Sequence, residues 1–396
     1  MYTGAKLCPE ETVTNSAGTV LIKDTDYQVS YSKNVNAGEA TITVSGLKNY
    51  TGSLSATFTI VPTSISDVTV SLETTSYVYD GKEKKPNVTV KNALGLTLSP
   101  ETDYTVSYEN NINKGTATVK VTGKGNYSGT KTATFSITAA PLQSMALEAE
   151  SMVYTGKELK PNVTVKNSAG TVLTLDTDYT VSYANNIRIG TAKVTVTGKD
   201  NYTGTLEATF KIKLPFTDVP DDYAYYDELA DIYMRGLMTG MTPTTFGPET
   251  TLNRAFMAAV LFRRAGYPAT PYRDIFPDVK EGDWFGESPL WAQASGNILG
   301  YENGKFGPTD NLLREQLCTI LWRYAETTDG FDNTARADLT VYSDYTRITP
   351  YAEEAISWCV ATGIFETRNG RIAAWEVATR AELALMLSRY LKVAGK

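Results

Sequence analysis

The chain contains two sets of tandem repeats with different periods, and each period limits the folds available to its part of the chain. The motif Asn-Tyr-x-Gly begins at Asn49, Asn126 and Asn201, at spacings of 77 and 75 residues. Beyond Pro215, a second set of motifs recurs at spacings of 60 and 66 residues. Self-similarity at a fixed period is typical of arrays of equivalent structural units. The sequence therefore predicts two arrays, each with three copies.

Composition changes near Pro215, where the first array ends. Thr, Val, Tyr, Asn and Gly are abundant before it, with a single arginine at Arg188, whereas Ala, Leu and Arg are abundant after it. All five tryptophans follow the change: Trp284, Trp291, Trp322, Trp358 and Trp375. Because β-branched and aromatic residues favour strands and Ala, Leu and Arg favour helices, the change predicts a β region followed by a helical region.

Apolar and polar residues alternate within the first array, as at Tyr104, Val106 and Tyr108. Asn- and Gly-rich turns separate such runs, and several short strands in each unit predict a small β-sandwich. The second and third copies carry a further strand-like stretch, at Val68 to Leu72 and at Met145 to Ala149. The first copy lacks it. We therefore expect the chain to start inside a unit and the first copy to have an unpaired sheet edge.

Each copy also has a pair of acidic residues ahead of a strand: Asp24 and Asp26, Glu101 and Asp103, Asp176 and Asp178. Such pairs either bind Ca²⁺ through carboxylate oxygens or accept hydrogen bonds from backbone N–H groups in turns. We predict the turn role and no metal site.

The first array resembles bacterial Ig-like repeats over about residues 1–214. The resemblance rests on the motifs Tyr-x-Gly-Lys, Asp-Tyr-x-Val-x-Tyr and Gly-x-Asn-Tyr-x-Gly. It implies Ig-like domains at residues 1–62, 63–139 and 140–214 that serve as a stalk or spacer. An alternative hypothesis is an adhesin, in which these repeats bind a host or surface glycan or protein.

The second array repeats an arginine at the start of an apolar, helix-periodic run, at Arg254, Arg314 and Arg380. A helix N-terminus disfavours a cation by up to about 1 kcal/mol, and its free N–H groups form a ready anion site. The arginines therefore indicate either an anionic ligand or a structural ion pair with a carboxylate such as Asp218 or Asp278.

The residues that flank these arginines differ between copies. Thr379 and Glu382 form a predicted capping box in the third copy. Asn253 can cap the first copy, but Phe256 occupies the position of Glu382. The second copy lacks a capping side chain and keeps only Gln316.

Phe-x-Asp-Val, Phe-x-Pro and Thr-Arg-Ala-Glu elements together resemble the surface-layer homology (SLH) family over about residues 215–392. The resemblance implies an all-α pseudo-three-fold helical bundle at residues 215–396, after the tandem all-β Ig-like sandwiches. Its motifs would span about 215–270, 275–328 and 341–392. The family anchors exported proteins to the Gram-positive envelope by binding anionic, often pyruvylated, secondary cell-wall polysaccharide. The roles implied for polysaccharide binding fall on Arg254, Arg314, Arg380, Asp218, Asp278, Asp344, Tyr223 and Trp284.

The third copy departs from the family pattern in its loop, where Ile372-Ala373-Ala374 replaces Phe-x-Pro and Pro350-Tyr351 lies near the aromatic position. We expect at least one of the three grooves to be inactive.

Net charge, histidine content, hydropathy and cysteine spacing exclude several classes of function. The net charge of −7 argues against a nucleic-acid partner, and the absence of histidine removes Ser-His and Cys-His nucleophile pairs. No apolar run approaches the roughly 18 residues of a membrane span. Cys8, Cys318 and Cys359 lack metal spacing, and the last two are predicted to be buried thiols, with a bridge between them as the less favoured alternative. We expect no catalytic residues, no cofactor and an extracellular location, with any catalytic domain lying upstream of Met1.

Overall fold

The computed structural model describes residues 1–396, with a β-rich region followed by a helical region. Its residues group into two compact units. The first unit comprises Met1–Leu147, Val163–Ser182 and Thr195–Glu207. The second unit comprises Glu148–Asn162, Tyr183–Val194 and Ala208–Lys396.

The first β repeat is a three-stranded antiparallel sheet in the order β1-β2-β3. Its strands are β1 (Tyr27–Ser32), β2 (Gly38–Gly46) and β3 (Ser53–Ile60). Strand β3 has a neighbour on one side only, so the predicted unpaired edge is confirmed.

The second β repeat has two sheets, a four-stranded one in the order β6-β11-β9-β8 and a two-stranded one that pairs β5 with β7. Its strands are β4 (Thr63–Ser64), β5 (Thr69–Leu72), β6 (Ser76–Val78), β7 (Val88–Lys91), β8 (Tyr104–Glu109), β9 (Gly115–Gly123), β10 (Tyr127–Ser128) and β11 (Thr130–Thr138). A 3-10 turn at Ile65–Asp67 connects β4 to β5. Alternating residues of β9 and β11, among them Val119 and Phe135, are buried between the sheets with Leu72 and Val88 against them.

The third β repeat has the same arrangement, with β14-β19-β17-β16 in one sheet and β13-β15 in the other. Its strands are β12 (Ala140–Pro141), β13 (Ser144–Leu147), β14 (Ser151–Val153), β15 (Val163–Lys166), β16 (Tyr179–Ala184), β17 (Gly190–Gly198), β18 (Tyr202–Thr203) and β19 (Thr205–Lys213).

The second acid of each pair binds its own turn. The carboxylates of Asp26, Asp103 and Asp178 each accept a hydrogen bond of 2.9 Å from the backbone N–H four residues earlier. The predicted turn role of these acids is therefore confirmed.

Successive β repeats of the first unit are joined by one recurring set of contacts. The ring of Tyr2 packs edge-on against Tyr127 at 5.8 Å, and the ring of Tyr79 packs in the same way against Tyr202 at 5.6 Å. Beside each ring pair, the side chain of Asn126 or Asn201 accepts a hydrogen bond from the preceding repeat. Each junction therefore combines an aromatic contact with a directional polar one.

The helical region contains six α-helices and two 3-10 turns. The helices are α1 (Tyr226–Met234), α2 (Arg254–Arg264), α3 (Ser288–Ala294), α4 (Arg314–Thr327), α5 (Glu353–Ala361) and α6 (Arg380–Val393). The 3-10 turns are Tyr345–Arg347 and Pro350–Ala352. None of these helices is both long enough and apolar enough to cross a membrane.

The predicted helix starts are confirmed. Each of α2, α4 and α6 begins at its arginine. The Asn253 side chain accepts from the Phe256 N–H at 2.8 Å, and Thr379 and Glu382 form the capping box. At α4, only the Gln316 side chain contributes, by accepting from the Leu313 N–H at 3.0 Å.

The segments that precede α2, α4 and α6 hydrogen-bond to one another in a closed cycle. The N–H of Leu312 donates to the C=O of Leu252, that of Ala378 to Leu312, and that of Leu252 to Ala378, each at 2.8 Å. All three residues are fully buried. The helices also pack between motifs in a cycle. Helix α3 of the second motif packs on α2 of the first, α5 of the third on α4 of the second, and α1 of the first on α6 of the third.

Cys318 and Cys359 are buried and free, as predicted, on the packed pair α4 and α5. The alternative of a sulfur bridge between them is not realised.

Candidate functional site

Each of the three predicted aspartates holds the loop that leads towards the second helix of its own motif. The carboxylate of Asp278 accepts from the N–H groups of Phe306 and Gly307, at 2.9 and 2.8 Å. Asp218 and Asp344 make the equivalent pair of hydrogen bonds within their motifs. Burial alone would raise the pKa of Asp278, but the two N–H donors outweigh it and hold this pKa below its usual range.

Each arginine reaches the loop of a different motif. Arg254 Nε donates to the C=O of Phe306 at 2.8 Å, which is the loop that Asp278 holds. Arg314 makes the same contact with Ile372 at 3.4 Å, and Arg380 with Phe246 at 3.1 Å. Each loop is therefore hydrogen-bonded both to the Asp of its own motif and to the Arg of another motif. No salt bridge joins Asp218 or Asp278 to these arginines, because both aspartates accept from backbone N–H groups. The alternative of a structural ion pair is realised at one arginine with a different carboxylate, since Arg314 pairs with Glu382.

The free N–H groups expected at these helix starts are already occupied. At α2, the N–H of Arg254 donates to the C=O of Asp310 at 3.1 Å, and that of Ala255 to the C=O of Pro308 at 3.0 Å. The equivalent N–H groups of α4 and α6 also donate to carbonyls of a neighbouring motif. The expected anion site on backbone N–H groups is therefore wrong, and the arginine side chains remain as the candidate anion ligands.

Arg254 faces an open cleft with part of its hydrogen-bonding capacity unused. Its side chain is 6% exposed, lies over the ring of Tyr301 at 4.5 Å and forms no salt bridge. Only Nε has a hydrogen-bond partner, so the two terminal amino groups have none in the protein. The adjoining cleft has a volume of about 200 Å³ and is lined also by Gln316, Arg323 and Tyr351. At roughly 30 Å³ per water, it has room for a group of several heavy atoms.

Arg314 lies in an equivalent position, but its charge is neutralised. It forms a buried salt bridge with Glu382 and donates to the C=O of Glu366 at 2.7 Å. Burial lowers the pKa of Arg314 to about 10, so the side chain is protonated at neutral pH. The adjoining cleft is only about 50 Å³ in volume. Arg368, at its rim, shares the Glu382 carboxylate at 2.7 Å.

Arg380 is covered by a ring. Its guanidinium lies 4.5 Å from the ring centre of Phe256 and 4.7 Å from that of Phe246. A second hydrogen bond joins it to the C=O of Thr239 at 2.7 Å. The three predicted arginines therefore occupy equivalent positions but differ in what covers them.

The two predicted aromatic residues lie away from the Arg254 cleft. Trp284 is 67% exposed and packs against Phe256, beside Arg380. The Tyr223 hydroxyl donates to Glu249 at 2.8 Å, and its ring contacts Tyr225, which lines the Arg314 cleft. The aromatic residue in the Arg254 cleft is Tyr351.

Sequence reasoning missed the residue that distinguishes the clefts. Phe256, Gln316 and Glu382 share the third position of their helices, and the sequence pattern indicated only whether each could take part in a helix cap. Phe256 and Glu382 each contact the arginine of another motif, and Gln316 lines the cleft of one. The sequence does show that these three residues differ at one repeated position. It does not show which arginine each of them faces, because that arginine lies 60 or more residues away in the chain.

The helical region matches the S-layer homology domain three times, at residues 215–258, 275–318 and 341–384. The chain carries three S-layer homology repeats. Each matched stretch runs from the aspartate-bearing segment into the arginine-led helix. S-layer homology domains mediate cell-wall anchoring in S-layer and other surface proteins, which assigns this chain to the cell surface.

Two enzymes and a surface-layer protein are among the proteins that are similar to part of the chain. An exoglucanase, XynX, from Acetivibrio thermocellus is 27% identical over 186 residues, covering 47% of this chain and 17% of the relative. An amylopullulanase from Thermoanaerobacterium thermosulfurigenes is 30% identical over 190 residues, covering 48% and 10%. A surface-layer 125 kDa protein from Lysinibacillus sphaericus is 26% identical over 161 residues, covering 40% and 13%. The chain thus spans less than a fifth of each relative's length.

Among solved structures, domains 4 and 5 of the S-layer protein SbsC are 21% identical, covering 31% of this chain and 89% of that one, with a TM-score of 0.13. A TM-score at this level carries no argument about the fold.

Proposed function

We propose that the chain anchors an exported protein non-covalently to the Gram-positive cell wall by binding anionic secondary cell-wall polysaccharide. The chain itself acts as a binding module rather than as an enzyme. The S-layer homology repeats support the anchoring role, and the chemistry of the clefts supports an anionic sugar as the ligand.

The observation that carries this proposal is the state of Arg254. A protonated guanidinium with two terminal amino groups lacking protein partners adjoins a cleft of about 200 Å³. Carboxylates satisfy such donors with charge-assisted hydrogen bonds of about 2.7–2.9 Å. Arg323 adds a second positive charge, and the half-exposed ring of Tyr351 offers a face for a sugar ring. A pyruvylated or otherwise acidic sugar fits these groups.

The other site residues take secondary roles in this proposal. Arg314 and Arg380 bind more weakly, because Glu382 and Phe256 cover them. Tyr223 and Trp284 contact the polymer beside these two clefts. Asp218, Asp278 and Asp344 act by positioning the loops that face the arginines.

We also propose that the helical region is a pseudo-three-fold bundle. The closed cycle of Leu252, Leu312 and Ala378 supports it, as does the rotation of the Arg contacts from each motif to another. A polymer that met more than one cleft of such a bundle would gain avidity.

The β repeats serve as a spacer of three domains at residues 1–62, 63–139 and 140–214. The recurring junction of the first unit, with a tyrosine pair and an asparagine hydrogen bond, supports a defined connection between repeats instead of a flexible linker.

The test is co-sedimentation of the full chain with purified Gram-positive cell walls, before and after chemical removal of the secondary polymer. We expect binding that is lost on removal of the polymer. Arg254→Met should weaken binding at least tenfold, because it keeps an unbranched aliphatic side chain in the buried position and removes the charge.

The matched control is Arg347→Met, which removes the same charge from an exposed position outside both clefts. Circular dichroism should show parent-like helical content for both variants. Undiminished binding to stripped walls, or equal binding by Arg254→Met and the parent, would contradict the proposal.

A further inference from the structure

Glu315 is a buried carboxylate at a helix start where the other two motifs carry a buried alanine. It is the second residue of α4 and is 3% exposed, and the equivalent residues of α2 and α6 are Ala255 and Ala381. Burying a carboxylate is costly unless its oxygens accept hydrogen bonds. Because α2 and α6 begin with alanine at this position, an arginine-led helix does not require a carboxylate there. The role of Glu315 therefore follows from the groups that it binds.

The carboxylate of Glu315 binds the segment of the third motif that carries Tyr351. Its Oε1 accepts from the Thr349 hydroxyl at 2.8 Å and from the Tyr351 hydroxyl at 3.1 Å. Its Oε2 accepts from the Thr349 N–H at 3.2 Å. Burial and, after it, the charge of Glu315 raise the pKa of Tyr351 to about 12, so the hydroxyl keeps its proton at neutral pH. The 3-10 turn Pro350–Ala352 is thus held both at its start and through its tyrosine.

Tyr351 is the aromatic residue of the Arg254 cleft, and it is 50% exposed. A side chain that is half exposed and unanchored samples several rotamers, and ordering it opposes the binding of a ligand. The hydrogen bond to Glu315 restricts Tyr351 before any ligand is present. The exposed Trp284 of the second motif differs, because it packs on Phe256 of α2, a helix whose second residue is Ala255. A carboxylate on the helix of another motif therefore distinguishes the aromatic group of the Arg254 cleft.

We propose that Glu315 is a positioning residue of the polysaccharide site, which holds Tyr351 at the side of the Arg254 cleft and lowers the cost of ordering this ring when a sugar binds. The inference rests on the proposed function. A tyrosine hydroxyl has one hydrogen, and Tyr351 donates it to Glu315. The ring and the oxygen lone pairs of Tyr351 are therefore the groups left for the ligand. Glu315 itself is buried behind them and does not touch the ligand.

The first test measures the positioning without a ligand. Hydrogen exchange of the Thr349 amide, followed by NMR in the full chain and compared with the amides of α4, should be at least tenfold faster in Glu315→Ala than in the parent. Glu315→Gln keeps an acceptor oxygen and should exchange within about threefold of the parent. Alanine is the residue that α2 and α6 carry at this position, and circular dichroism checks that the helical content is retained. Equal exchange of Thr349 in the parent and in Glu315→Ala would overturn the proposal.

The second test measures binding to purified cell walls by co-sedimentation. Glu315→Ala should weaken binding about fivefold, because one side chain must then be ordered on binding, whereas Glu315→Gln should bind within about twofold of the parent. In a Tyr351→Ala background, Glu315→Ala should cause no further loss, since the ring that it positions is absent. An equal loss in both backgrounds would indicate a merely structural role and overturn the proposal, as would parent-like binding by Glu315→Ala. A parent chain that does not bind walls would instead refute the proposed function, and with it this role in binding.

Discussion

The clefts beside Arg254 and Arg314 are built from equivalent helices and loops, yet only one of them leaves its arginine free for a ligand. Gln316 lines the Arg254 cleft, whereas Glu382, at the same helix position, forms a salt bridge with Arg314. The cleft volumes differ accordingly, at about 200 and 50 Å³. Phe256 supplies a third variation by stacking on Arg380.

This comparison shows that the arginine alone does not define a binding site in such an array. The deciding side chain is supplied by another motif, at the third position of its arginine-led helix. A glutamate there serves two purposes, because Glu382 both completes a capping box and compensates the buried charge of Arg314. The helix start closest to the family pattern, that of α6, therefore supplies the carboxylate that occupies the arginine of another motif.

The largest expected effect concerns stability. Glu382→Ala should lower the free energy of unfolding by about 3–5 kcal/mol, because it leaves the buried guanidinium of Arg314 without its carboxylate. The matched change Gln316→Ala should cost about 1 kcal/mol, since it removes one neutral hydrogen bond. Urea unfolding followed by circular dichroism measures both. Similar losses for the two variants would show that the two clefts do not differ in charge pairing.

The next effect concerns wall binding. Gln316→Glu should give Arg254 an internal carboxylate partner and reduce binding to cell walls at least tenfold, or by about 1.4 kcal/mol. Co-sedimentation with walls measures it, and Gln316→Met serves as the control of similar size without charge. If Gln316→Glu binds like the parent, the residue at this position does not govern the cleft.

A smaller effect follows from the aspartate that supports the Arg254 cleft. The pKa of Asp278 is lowered in the folded protein, so its stabilisation is present above its usual pKa of 3.8 and is lost as pH falls through the lower folded value. Asp278→Asn should therefore reduce stability by about 1–2 kcal/mol at neutral pH. The difference from the parent should shrink below pH 3.8. Urea unfolding as a function of pH tests this, and a difference that grows in acid would have the wrong sign.

The smallest effect is expected at Trp284. Because this exposed ring lies beside Arg380 and not in the Arg254 cleft, Trp284→Ala should change wall binding by less than twofold. Its stability should stay within about 0.5 kcal/mol of the parent. Tyr351→Ala, in the Arg254 cleft, is the informative counterpart and should weaken binding more. A larger loss at Trp284 would move the main site to Arg380.

Strands and helix starts could be predicted from local patterns in the sequence. Alternation at Tyr104, Val106 and Tyr108 predicted β8, and each arginine marked the first residue of a helix. These features depend on neighbours within a few positions, which periodicity and capping chemistry describe well.

The chemistry of the site was less predictable because its contacts join distant motifs. Arg254 binds the loop at Phe306, and Arg314 meets Glu382 across 68 residues of sequence. No local pattern states which aspartate or glutamate will face a given arginine. The helix dipole alone also does not predict an anion site at a helix start, since the N–H groups there already donate to carbonyls of another motif.

The ring formed by Leu252, Leu312 and Ala378 has a consequence for how such a region can gain or lose parts. Deleting one motif would break two of its three bonds and leave buried donors and acceptors unmet, at a cost of about 1–3 kcal/mol for each group. Two motifs cannot form this cycle of three hydrogen bonds, and the cycle leaves no free donor or acceptor for a fourth motif. The three motifs should therefore unfold in one cooperative transition and be retained together.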